Sequence, residues 1–163
     1  MAAPMASRLD PYPGQGASVL ELRTLADEYR RAAHLLVQLG RPGKPLSRAP
    51  LRLAAIHAIE LYLNALLLHR GHAAAAIRGM QHDLPARAAL TREAGLQLRL
   101  KTRDHLEALG RNREYLASRY APEQGASLSE VNRLMATLDE VARKVRDRLD
   151  AAPAPGPQDR AAA

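Results

Sequence analysis

The chain has 163 residues with no Cys, Phe or Trp, so disulfides and thiolate chemistry are excluded and the core must come from Leu, Ala, Ile, Val and a few Tyr. Such a core favours helices over strands. The formal charge of +7 permits a nucleic acid or another polyanion as partner, although Arg is abundant throughout and charge alone does not select one. No Lys/Arg-led apolar leader opens the chain, and no apolar window reads as long enough to span a bilayer, so a cytoplasmic setting without a membrane partner is expected.

Residues 1–17 carry Pro4, Pro11, Pro13, Gly14 and Gly16 without periodicity and read as a disordered arm. Ser18 and Glu21 have capping-box spacing and open the first helix. Leu22, Leu25, Tyr29, Ala32, Leu36 and Leu39 then recur at three-four spacing as one apolar seam. Gly40 reads as the residue just past the helix, and Pro42, Gly43 and Pro45 stop it.

The stretch from Leu51 to Leu68, LRLAAIHAIELYLNALLL, is apolar nearly all round, the pattern of a buried central helix. Arg52, His57, Glu60 and Asn64 interrupt it, and the last three share one face. A polar row on a core helix must be satisfied, by a neighbouring helix, a symmetry mate or a ligand. Gly71 ends this helix, and Ala73 to Arg78 forms a short one before Gly79. Asp83 caps a helix with Pro85 in its first turn, ending at Gly95.

A basic helix is predicted from near Thr102 to Tyr120, with Leu106, Leu109 and Leu116 inside. Gly110 within it signals either a kink or close approach of another backbone. Pro122 ends it. Ser127 and Glu130 have capping-box spacing before the seam Leu128, Val131, Met135, Leu138, Ala142, Val145 and Leu149. Residues 151–163 read as a disordered tail. The fold class is therefore all-α, an antiparallel bundle of about five helices spanning residues 18–150.

Several chemistries are weak fits. His69, His72, His82 and Asp83 suggest zinc, but Gly71 separates the first two, and surface imidazoles with an N-cap Asp explain the same residues. His57, His82, Asp83 and Asp139 can be set in the order used by the HD-type phosphohydrolases only by ignoring that Asp83 begins a helix and Asp139 lies on a solvated face. No nucleophile elbow, phosphate loop or dinucleotide fingerprint is present. No metal and no cofactor are expected. Arg111, Asn112 and Tyr115 lie within one turn of the basic helix, where a guanidinium, an amide and a phenol can meet a phosphate. A solvated face neutralised by Glu107 and Glu114 is the competing reading.

LAAIHAIELYLNALLLHRG, HDLPARAALTREAGL and RNREYLASRY together resemble the HEPN domain family (higher eukaryotes and prokaryotes nucleotide-binding), over roughly residues 20–149. The resemblance implies a bundle of about five helices that dimerises, and for many members a metal-independent endoribonuclease. The family's motif is an Arg, a polar residue and a His separated from the Arg by about four to six residues. Arg111 and Asn112 fit its start, but positions 116–118 hold Leu, Ala and Ser. A group titrating near neutrality is thus missing where the resemblance requires one.

The expected function is a homodimeric HEPN-like module with a degenerate ribonuclease motif, not an enzyme. It would bind RNA, a nucleotide or a protein partner through a basic cleft of Arg111, Asn112, Arg113, Tyr115 and Arg119, with His57, Glu60 and Asn64 as a possible extension. The alternatives are an active endoribonuclease with a rearranged site, and an interaction bundle with no nucleic-acid role.

Overall fold

A computed structural model describes residues 11–151, and these are all-α: seven α-helices, three short 3-10 segments and no strand. The helices are α1 (Val19–Leu36), α2 (Ala49–His69), α3 (Ala74–Gly79), α4 (Leu84–Glu93), α5 (Leu100–Arg111), α6 (Glu114–Tyr120) and α7 (Val131–Asp150). The remaining parts of the expected arm and tail, residues 1–10 and 152–163, lie outside the described residues. Residues 11–17 form a hydrogen-bonded turn, with Gln15 N donating to Tyr12 O, and the Tyr12 ring lies under the Arg78 guanidinium.

The middle of the bundle is α2, with α1, α4, α6 and α7 packed around it. Fourteen of its residues are buried, Arg52 and Glu60 among them. By length and composition this helix could cross a membrane, contrary to the sequence reading, but most of the qualifying window is buried inside the fold.

The caps explain most boundaries. Ser18 and Glu21 form a reciprocal capping box on α1, and the Asp83 carboxylate accepts from Ala86 N at the start of α4. Gly71 and Gly95 adopt positive φ just past α2 and α4, where a side chain would be strained.

Four local expectations are corrected. Gly40 has φ −67 and is not a left-handed cap; a Cβ there would collide with the Arg48 side chain. Ser127 and Glu130 make no capping box, because Ser127 Oγ donates to Gln124 O within a 3-10 turn and α7 begins at Val131. The basic helix is two helices: α5 stops at Arg111, Arg113 takes φ 50, and α6 starts at Glu114. On α1, small Ala26 and Ala33 are the buried residues, which lets α1 approach α2 closely, while Leu25, Tyr29 and Leu39 of the expected seam stay exposed. The α7 seam holds, with Met135, Leu138, Ala142 and Val145 buried.

Gly110 is a close-approach site. A methyl at that position would overlap the Pro85 ring, so its hydrogen is what lets α4 and α5 meet. Thr102 does not cap α5; it is buried and donates to the Glu140 carboxylate.

Glu140, 3% exposed, is the polar rivet between α7 and the start of α5. It accepts from Arg99 N and Nε and from Lys144 Nζ, each at 2.8 Å, and from Thr102 Oγ1. Burial disfavours its charge, but the hydrogen bonds from Lys144, Thr102 and Arg99 outweigh that and hold its pKa at about 2. The folded value lies below the unfolded one. This contribution to stability is therefore complete above about pH 4.5 and lost as pH falls toward 2. Glu140→Ala should destabilise the fold by about 3 kcal/mol at pH 7. Urea titrations of both proteins over that pH range should show a smaller acid-dependent loss in the variant.

Candidate functional site

The Arg113 turn shapes the basic corner between α5 and α6. A non-glycine residue in the left-handed region interrupts the helix there, and Arg111, Asn112 and Arg113 are all exposed. Glu114 turns the other way. It is 1% exposed and accepts from Ser129 N at 2.8 Å and Ser129 Oγ at 2.9 Å. The carboxylate expected to neutralise the neighbouring arginines is thus committed inside the bundle. Among the described residues Arg111, Arg113 and Arg119 form no ion pair.

The break between α5 and α6 also separates Tyr115 from Arg111. The Tyr115 ring lies against His82, in the connection between α3 and α4, with centroids 4.2 Å apart. The five basic-cleft candidates do not share one concavity. Arg119 lines a pocket with Arg52 and Ser118 that none of the other four lines.

The polar row of α2 does face a concavity. His57, Glu60 and Asn64 line a cleft of about 820 Å³ with His82, Arg87 and Arg78, its rim carrying Leu22, Leu25 and the Tyr12–Gln15 turn. Arg87 is the organiser. It is 1% exposed, donates from Nε to Asn64 Oδ1 at 2.7 Å and from Nη2 to Ile77 O at 3.2 Å, and lies 3.6 Å from Glu60. Glu60 in turn lies 3.1 Å from His82 Nδ1. His57 meets the edge of Tyr29 at 4.5 Å between centroids. Burial lowers the pKa of His57 against the opposing charge of Glu60, with Arg119 and His82 adding to the effect, which favours the neutral imidazole.

The zinc and HD-type constellations do not assemble, and no group of three or more His, Asp or Glu converges among the described residues. His82 joins Glu60, while Asp139 binds Arg30 and His34 on the other side of the bundle. His105, a conceivable stand-in for the missing imidazole, is fully buried against Thr137; burial, with Arg133 and Arg52 nearby, pushes its pKa to about 4.

Arg87 was legible but unread. Leu84, Arg87 and Thr91 follow three-four spacing and are all buried, so the inward stripe of α4 runs through an arginine. Arg52 read as a mere interruption of an apolar run, yet it is buried too. No family model, no curated protein and no solved structure matches this chain.

Removing Arg87 strands Glu60 and Asn64 in a poorly solvated site. Arg87→Ala should lower stability by about 3–5 kcal/mol, measured by thermal unfolding, whereas Arg78→Ala on the exposed rim should cost under about 1 kcal/mol.

Proposed function

We propose that this chain is a HEPN-like module that binds RNA through its phosphates at the α5–α6 corner, as a homodimer, without cleaving it. The observation that carries the reading is the committed Glu114: with that carboxylate turned inward, Arg111 and Arg113 are exposed and form no ion pair among the described residues. Arginine suits the task because its planar fork matches a phosphate and keeps its charge at every physiological pH. Arg119 extends the positive surface along α6.

Dimerisation is supported by the exposed apolar residues of α1, Leu20, Leu25 and Leu35, with Leu39 in the turn after it, a larger hydrophobic display than an isolated surface helix needs. Absence of cleavage follows from the chemistry of positions 116–118, where Leu, Ala and Ser offer no acid or base near neutrality.

Phosphate recognition predicts a specific salt response. Binding of a single-stranded oligoribonucleotide, followed by fluorescence anisotropy, should weaken linearly on a log–log salt plot. Arg111→Ala combined with Arg113→Ala should flatten the slope by about 1.4, near 0.7 for each lost phosphate contact. RNA affinity indifferent to salt, or unchanged in the double variant, overturns the reading. RNA shortened by the pure protein in chelator would restore the ribonuclease alternative.

A further inference from the structure

A second concavity lies between the start of α2 and the end of α6. It measures about 290 Å³ and is lined by Arg52, Ser118 and Arg119 amid apolar groups that include Leu46, Ala49 and Leu128. Arg52 is the unusual member. Its side chain is 7% exposed, and its Nε and Nη1 are buried with no hydrogen-bond partner.

A buried guanidinium normally fills its donors. Arg87 does so in this same protein. The nearest carboxylate to Arg52 is Glu114, 3.7 Å away, beyond hydrogen-bond reach. Both Glu114 oxygens already accept from Ser129. The carboxylate therefore offsets part of the charge but leaves the donors unfilled. Desolvation without hydrogen bonds is costly, and burial lowers the pKa of Arg52 accordingly. Arg52 lines the pocket, so an oxyanion entering it would meet a guanidinium whose hydrogen bonds are not filled from within the fold.

We propose that this pocket is a binding site for a small organic oxyanion, a phosphate or carboxylate head on a compact apolar body. Arg52 receives the head from below with Arg119 at the wall, and Leu46, Ala49 and Leu128 cover the body. The size fits: about 290 Å³ exceeds a bare phosphate and suits a head with one ring or a short chain. The site shares Arg119 with the proposed RNA-binding surface, but its central group, Arg52, belongs to the pocket alone, so it stands whether or not RNA is bound at Arg111 and Arg113.

The test is isothermal titration calorimetry on the full chain with inorganic phosphate, phenyl phosphate and benzoate. Phenyl phosphate or benzoate should bind at least about tenfold more tightly than inorganic phosphate, since only they fill the apolar part, and the better of the two names the head group. Arg52→Met should reduce that binding at least about tenfold while leaving the ligand-free protein as stable as the parent or more so, because it replaces unfilled donors with an apolar chain of similar length. Ala49→Leu keeps the guanidinium and fills the pocket, and it too should abolish binding; it decides the matter should Arg52→Met misfold. Absence of heat with all three probes at about 10 mM, or equal binding in Arg52→Met or Ala49→Leu, overturns the proposal.

Discussion

The structure depends on burying α2 without stranding its polar row. An apolar helix surrounded by other helices gains from every Leu and Ile it removes from water, but Glu60 goes down with them and Asn64 is half-buried. The fold meets the cost from one place, the inward arginine of α4. Arg87 engages Asn64 and Glu60, ties α3 through the carbonyl of Ile77, and thereby fixes how α3 and α4 sit on α2. The Asp83 cap and the close approach permitted by Gly110 serve the same end, since both set the position from which Arg87 reaches inward.

The cleft beside that network is a consequence of the arrangement. The surface opens where His57, Glu60 and Asn64 emerge. Most of its charged groups are occupied with one another: Arg87 with Asn64 and Glu60, Glu60 with His82, Arg78 with Tyr12. A cleft whose charges are satisfied internally describes a structural polar seam better than a catalytic centre. The unfilled positive charge lies elsewhere, along α5 and α6.

Periodicity and caps made the fold class and most helices readable, because α2, α4 and α7 are each specified by local signals that tertiary packing did not override. The α5–α6 break was not readable. Arg113 carries no local mark of a left-handed residue, and the chain turns there because Glu114 is drawn inward to Ser129, fifteen residues away. The α1 seam held only in part, with Leu22 and Leu36 against the core and Leu25, Tyr29 and Leu39 exposed, for a related reason. Leucine spacing located an apolar face, but the face that packs was chosen by Ala26 and Ala33, whose small size lets two backbones come together. Of the site residues, the polar row of α2 was visible as a pattern, whereas its partner Arg87 and the separation of Tyr115 from Arg111 were set by contacts distant in sequence.

Two guanidiniums are buried in this bundle, and their difference separates structure from function. Arg87 reaches an amide, a carboxylate and two carbonyls, so its charge is dispersed and the surrounding helices are held by it. Arg52 lies one helix end away with a carboxylate near but no hydrogen bond made. Folding alone gives no reason to keep an arginine there, since Leu or Met would fill the same space without desolvated donors. Local choices that cost stability without structural return are expected at sites held for a ligand. The same logic applies to Glu114. Its inward turn strips the α5–α6 corner of a counter-charge while only partly compensating Arg52, so one carboxylate placement leaves both positive sites short of an anion.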